Sequence, residues 1–464
     1  MDSRYDSLRF DVIVIGGGPA GTVAAIAAAR EGAKVLLAER HGFLGGMLTA
    51  AGTGPMMSFH SGTPQTDRTQ VVRGIPDELV ERMKSRGFSP GHLEDFVGYC
   101  GTVTPFSPEG MKVVMEEMCI EAGVTLLYHT DFIDAETDRE NRIVSVRLHA
   151  KNGFFKAYAR VFVDASADAD LAVSAGVSTV LGREDDHLSQ PMSMNILAGG
   201  VDREKVLDFV LSNRDDMLKT IPFDHLRDIP RSGIQGANAL LRKLRAEGKT
   251  RVPNSHLLCF ETNTPGQYII NMTHVSEKNP TDAFDLTFAE IEGRRQAHET
   301  FTLFKEYIPG FENAHLISTG PNIGIRESRK IDGIYKLTAE DLLKPVMFPD
   351  AVAMGGYPID VHNPGGKHGT PMPPLKPGSW YSIPYRSLVT EKVPNLVVAG
   401  RCISATHQAC GAVRVTPILM AVAQGAGTAA ALAAEKGIHV KDLDTGLLRA
   451  RLKKAGAFLE EYRG

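Results

Sequence analysis

At 464 residues the chain is long enough for about three domains of ordinary size, and 43% hydrophobic residues exclude a disordered or fibrous protein. Fifty-one Lys and Arg against 55 Asp and Glu give a net charge of -4 with no long run of one sign, which argues against a nucleic-acid partner. The apolar stretch from Val23 to Ala29 is far too short for a membrane span and lacks the basic leader of a signal peptide, so a soluble cytoplasmic protein is expected.

The first elements are predicted as strand, helix and strand: Phe10 to Ile15, Pro19 to Gly32 and Lys34 to Ala38. From Leu48 to Pro105 the text is rich in Gly, Pro, Ser and Met, and only Pro76 to Arg86 reads as helical; residues 50–105 are expected to be a loop-rich cover. A helix at Met111 to Ala122, a strand at Val124 to His129 and a hairpin through Ile133, Ile143 to Leu148 and Phe154 to Ala159 follow, and Arg160 to Asp164 is predicted as a buried strand entering a small-residue turn. After Leu181 strand-like segments (Gln190 to Leu197, Gln267 to Thr273) alternate with charged helices (Asp202 to Ser212, Asp285 to Tyr307), which marks a second domain near 186–325. Gly324 to Leu337 reads as a Gly-led strand, Gly355 to Gly378 is rich in Pro and Gly, and Asn395 to Lys436 closes with strand, turn and helix.

Five cysteines, Cys100, Cys119, Cys259, Cys402 and Cys410, are scattered with no C-x-x-C pair, which excludes a thioredoxin-type dithiol and a ferredoxin-type cluster and fits a reducing compartment. No metal site is expected. The strongest motif is Gly16-Gly17-Gly18-Pro19-Ala20-Gly21, a G-x-G-x-x-G set between the first strand and helix. Gly16 permits the tight turn, Gly18 lets backbone approach a pyrophosphate, and Gly21 lets helix and strand pack closely, with the helix N-terminus facing the phosphates. Glu39, 18 residues beyond Gly21 at the end of the second strand, is placed to accept hydrogen bonds from ribose hydroxyls. The motif fits FAD or NAD equally.

Four further segments run in order: Ala38 to Thr49 with Gly45-Gly46-Met47, Val161 to Asp170, Asn395 to Ser404, and Gly411 to Pro417. Together with the fingerprint and Gly324 to Arg329 they resemble FAD-dependent oxidoreductases whose flavin domain is like that of the fumarate reductase and succinate dehydrogenase flavoproteins. The resemblance implies an α/β protein: a Rossmann-like FAD-binding domain of the glutathione-reductase type, built from residues 1–185 and 326–464, with an inserted α+β substrate or cap domain at 186–325. It implies that Gly16, Gly18, Ala20 and Gly21 hold the pyrophosphate, that Glu39 and Arg40 meet the adenosine ribose, and that Phe132 offers backbone to adenine. It also places Gly45, Gly46 and Met47 beside the flavin, Ala165 and Asp168 in the second small-residue turn, and Gly400, Arg401, Val415 and Thr416 along the flavin side. Met47 stands where the succinate dehydrogenase type carries a tethering histidine, so the FAD is expected to be non-covalent.

No second G-x-G-x-x-G with a strand and helix around it follows residue 50, so a dedicated nicotinamide domain is not expected, and an external electron donor or acceptor is. For the chemistry on a small organic substrate, the candidate groups are Arg326, His60, His407 and Arg414; of Arg326 and Arg329, which cannot share one strand face, at least one is expected in a structural ion pair. Arg414 immediately precedes a helix start predicted at Thr416 as N-cap and Pro417 in the first turn. The expected activity is that of a dehydrogenase or reductase moving a hydride between substrate and FAD. The rivals are an NAD(P)H-dependent flavin monooxygenase and an electron-transfer subunit.

Overall fold

A computed structural model describes residues 8–63, 65–365 and 372–462. Residues 366–371 of the Pro- and Gly-rich span, and both chain termini assigned to the FAD-binding domain, lie outside the described residues.

The β-branched run Arg9–Ile15 forms a strand because both its faces are covered, and Val12, Ile13 and Val14 are fully buried. It pairs in parallel with Val35–Ala38 on one side and with the far half of the long strand Gly153–Asp164 on the other. Thr125–Leu127 extends the sheet beyond Val35–Ala38. On its other edge Gly153–Asp164 carries two partners in succession. Its first half takes the antiparallel strand Ile143–Ala150, which pairs in turn with Asp131–Thr137; its last three residues take Leu396–Val398, in parallel, from the opposite end of the chain.

Helices cover this sheet. Pro19–Arg30 and Thr416–Lys436 are both Ala-rich, and Gly427 lets them touch: a Cβ there would lie 2.1 Å from the Ala24 carbonyl oxygen. Among the described residues Thr416–Lys436 is long and apolar enough to cross a membrane by length and composition, yet 89% of its apolar window is buried inside the protein.

A second sheet stands apart from the first. Gly233–Gly236, Leu257–Glu261, Tyr268–Ile270, Ile196–Gly199 and His315–Thr319 lie side by side, all antiparallel. It has its own apolar core, in which Ile196, Ile234, Tyr268 and Phe304 are fully buried. The 25-residue helix Ala283–Tyr307 packs on it where Gly293 meets Met194 and Ile323. The fold is thus a mixed α/β architecture with a largely parallel sheet and a separate antiparallel one.

Several expectations need correction. The 50–105 cover holds, besides the helix Ile75–Ser85, a small sheet of Met56–Met57, Thr102–Thr104 and Leu93–Glu94. Its strands of two or three residues are too short for any period to register. The Gly324 to Leu337 strand shrinks to Arg329–Ile331, because the Gly324 end is engaged in a lone bridge to Ser193. The helix Asn238–Ala246 was unforeseen.

Candidate active site

At the end of the first strand the chain must turn sharply into a helix, and glycine makes this possible. Gly16 has φ +98°, and a Cβ there would fall 2.5 Å from the Ala165 carbonyl oxygen. A Cβ on Gly21 would lie 1.8 Å from the Gly16 oxygen, so the helix seats directly on the strand. At Gly18 the situation is reversed: the nearest atom to a Cβ is the Gly46 Cα at 4.0 Å, so this face of the loop opens onto free space beside the helix N-terminus. Glu39 is buried, and its carboxylate accepts from the Gly17 N–H at 2.6 Å and the His41 N–H at 2.8 Å, which fixes the loop. The Gly45–Gly46 turn is tied to it by the Gly45 N–H donating to the Gly17 oxygen at 2.9 Å.

A cavity of 340 Å³ begins at this loop. Gly18, Ala20, Met47 and Ala165 line its start, and Gly400, Arg401, Val415 and Thr416 its middle. It ends against the second sheet, where Asn195, Gln235, His256, Leu258, Phe260 and Asn271 reach it, facing a wall that includes Tyr99, Arg326, Tyr357, Asp360, His362 and Arg414. The open cradle at Gly18, the helix N-terminus behind it, and two buried guanidine N–H groups, Arg401 Nε and Arg414 Nε, without a partner among the described residues, fit a bound dinucleotide.

Gly16, Gly21, Glu39, Arg40, Gly45, Gly46, Phe132 and Asp168, also expected at the cofactor, do not line the cavity. Gly16, Gly21, Gly45 and Gly46 shape the loop; Glu39 braces it; Arg40 is exposed, and Phe132 is half-buried in the hairpin. Asp168 accepts from Arg401 Nη2 at 2.5 Å and from the Ser328 hydroxyl at 2.6 Å, so it anchors the arginine on the cavity wall. The final helix starts one residue earlier than expected: Val415 is its N-cap, and Thr416 is already helical, with no side-chain cap.

Of the four candidate catalytic groups the structure brings Arg326 and Arg414 to the cavity and leaves His60 and His407 off its wall. His60 is held by the Thr102 hydroxyl at 3.0 Å and sits edge-on to His92; burial and that neighbour push its pKa down to about 4. His407 is 2% exposed at the start of the helix His407–Val413, with Nδ1 2.7 Å from Glu327 Oε2. Glu327 is fully buried and is also paired with Lys330 Nζ at 2.5 Å. Burial raises its pKa, but the hydrogen bond from His407 and the charge of Lys330 hold it below the usual carboxylate range. Arg329 makes the structural ion pair anticipated for one of the two arginines, with Asp170.

Tyr381 and Tyr385 are buried with their hydroxyls on the Tyr357 and Val440 carbonyls, and burial pushes the Cys402 thiol well above its ordinary range. None of the three lines the cavity. Among the described residues no group of three or more His, Cys, Asp or Glu is placed to hold a metal ion.

Sequence reasoning missed the 357–362 segment. Arg414 Nη2 donates to Asp360 Oδ2 at 3.2 Å and to its carbonyl at 3.1 Å. Although burial opposes it, the neighbouring His362 imidazole and the charges of Arg414 and Arg326 hold Asp360 far below the usual carboxylate range.

A 99-residue stretch is 34% identical to mitochondrial dihydrolipoyl dehydrogenase of Schizosaccharomyces pombe, covering 20% of this chain and 19% of that one. A 196-residue stretch is 29% identical to digeranylgeranylglycerophospholipid reductase 1 of Methanopyrus kandleri, covering 39% and 45%. The chain thus spans less than half the length of either relative. In fold it is similar to p-nitrophenol 4-monooxygenase from Pseudomonas putida, with a TM-score of 0.50 over 98% of this chain and 91% of that one at 10% identity. The model of the FAD dependent oxidoreductase family matches residues 11–452, and the chain belongs to that family of FAD-dependent enzymes.

Proposed function

We propose that the protein is a dehydrogenase or reductase that moves a hydride between non-covalent FAD and a small anionic organic substrate. In this reading residues 1–185 and 326–464 form the FAD-binding domain, and residues 186–325 are an inserted substrate domain that closes the far end of the cavity. The observation that carries it is Arg326. Its guanidinium lines the cavity and donates to two neutral acceptors, the Pro191 carbonyl and the Ser193 hydroxyl, each at 2.7 Å, with no carboxylate partner among the described residues. Burial and then Arg414 push its pKa down to about 10, so it is still charged at neutral pH. Among the described residues Asp360 is the one carboxylate whose charge acts on both Arg326 and Arg414, so the pair of guanidiniums keeps a net positive charge on the cavity wall, and an anionic ligand offsets its cost. Arg414 is already neutralised by Asp360, and Arg401 by Asp168, which leaves Arg326 as the group for a substrate carboxylate.

Bound FAD would supply the two-electron partner. The chain supplies the rest: Gly18 and Ala20 cradle the phosphates, Met47 offers no tether, Arg326 orients the substrate, and the apolar side chains Leu258 and Phe260 help keep water from its far end. The test is anaerobic mixing of the yellow protein with hydroxy, amino and unsaturated acids. Bleaching of the flavin band by one of them supports the reading, and acid precipitation should release the colour. Reduction by NADH or NADPH faster than about one per second, within the ordinary turnover range, would overturn it in favour of the monooxygenase.

A further inference from the structure

Hydride removal from a carbon bearing a hydroxyl leaves a proton that some group must take, and the cavity wall offers few. Asp360 is pinned by Arg414 and surrounded by positive charge, so its carboxylate is too weak a base. Tyr99 and Tyr357 are driven by burial well above their ordinary range and stay protonated. Two imidazoles remain. His256 has the neighbouring Ser255 hydroxyl against its ring, at 3.2 Å, and feels the Asp360 charge, but it forms no ion pair among the described residues. His362 has a carboxylate: its Nε2 lies 3.5 Å from Asp360 Oδ2, while its main-chain N–H is fixed by Gln190 Oε1 at 3.2 Å. Burial, with Arg326, keeps the ring neutral. An N–H on Nε2 directed at Asp360 leaves the lone pair on Nδ1 and lets the carboxylate stabilise the imidazolium once it forms.

Resting on the dehydrogenase reading, we propose that the substrate is a 2-hydroxy acid whose carboxylate is held by Arg326 and whose hydroxyl proton is taken by His362, with Asp360 orienting the ring. The C–H bond breaks with its electron pair passing as hydride to FAD, the O–H proton goes to the imidazole, and the carbon becomes a carbonyl; the acid is oxidised to a 2-oxo acid as FAD is reduced. A 2-amino acid is disfavoured because its ammonium group would lie among Arg326, Arg414 and a neutral base already shifted by both.

The experiment compares FAD-loaded wild type with His362→Asn and Arg326→Met, using lactate against propionate, mandelate against phenylacetate, and alanine. Flavin occupancy and thermal midpoint check that the variants fold. Flavin perturbation gives Kd, and anaerobic bleaching gives the reduction rate. The proposal expects each hydroxy acid to bind about tenfold more tightly than its deoxy partner. His362→Asn should abolish that preference and slow bleaching on the order of 10²- to 10⁴-fold. Equal binding of hydroxy and deoxy acids by wild type, tighter binding of alanine, no binding by any member, or unchanged bleaching in His362→Asn overturns it. Bleaching that is independent of His362 would spare the dehydrogenase reading. Hydroxyl-selective binding with no bleaching by any member would instead remove that reading while supporting the His362 contact.

Discussion

The two ends of the cavity are built on different principles. The phosphate end is one continuous stretch, Ile15 to Gly21, whose shape follows from missing side chains: Gly16 and Gly21 are glycine because backbone occupies the space, and Gly18 because nothing of the protein does. The substrate end is discontinuous. Arg326, His362 and Arg414 come from three separate segments, and buried charge holds these in register. Glu327, next to Arg326, bonds His407, which opens the helix that ends at Arg414; it also accepts from the Gln190 N–H at 3.2 Å, and Gln190 in turn holds His362. A site written in backbone tolerates almost no local change, whereas one written in buried charges can be altered part by part.

Glycine variants should separate the two roles within the phosphate loop, with the largest effects. Gly21→Val should prevent folding, because its Cβ overlaps the Gly16 oxygen. Gly18→Val should fold with a thermal midpoint near wild type and carry no FAD, because its side chain fills the phosphate cradle. A Gly18→Val protein that purifies yellow would remove this loop as the phosphate site.

Next in size is the buried brace. Glu327→Leu leaves Lys330, 1% exposed, without its carboxylate, and should lower stability in urea by about 3 to 5 kcal/mol. The double variant Glu327→Leu, Lys330→Met should recover much of that loss yet keep weakened binding of acids, since the link to His407 stays broken. If the double variant binds normally, the brace serves stability alone.

A smaller effect is expected at the ligand itself. Arg326→Met should retain FAD and bind propionate about 10- to 100-fold more weakly, as for loss of a charge-assisted hydrogen bond. Spectral titration measures it, and unchanged affinity would place the anion elsewhere.

The smallest effect belongs to two histidines that do not line the cavity, and it has a definite sign. His60 and His274 are each pushed by burial from 6.5 to about 4, so between those values the unfolded chain binds more protons than the folded one. The histidines' share of stability should therefore fall as pH drops from about 6.5 toward 4, and below that the carboxylates held under their usual range, Glu327 and Asp360, continue the loss. The slope per histidine should be less than the ~1.4 kcal/mol per pH unit of one fully linked proton. Urea midpoints across this range should show it, and His60→Gln should flatten the curve.

The contrast also explains what the sequence made legible. A strand, a glycine turn and a helix in immediate succession carry their own geometry, so the loop and Glu39 could be named from residues alone, and Met47, Ala165, Gly400, Arg401, Val415 and Thr416 through the family resemblance. Asp360 and His362 sit in a Pro- and Gly-rich span with no period, and their meaning depends on Arg326 and Arg414, which are distant in sequence. His407 shows the reverse error. A histidine after a turn near the cofactor segments reads as a site residue, but only packing reveals that Glu327 and the Glu184 carboxylate, which accepts its main-chain N–H at 3.0 Å, enclose it.

The long strand Gly153–Asp164 receives residues 9–15 along one edge and residues 396–398 along the other, and the helix from Thr416 closes over the first helix at Gly427. During synthesis the N-terminal half therefore emerges with its glycine loop formed in sequence but with one edge of its central strand bare and the Ala24 face of its first helix uncovered. The cavity wall, which includes Val415, Thr416 and Leu419, is complete only once the chain has been made past these residues. Until then the exposed strand edge is a place where another chain could pair. A separately expressed N-terminal half should bind no FAD, and adding the C-terminal segment in trans is the direct way to restore it.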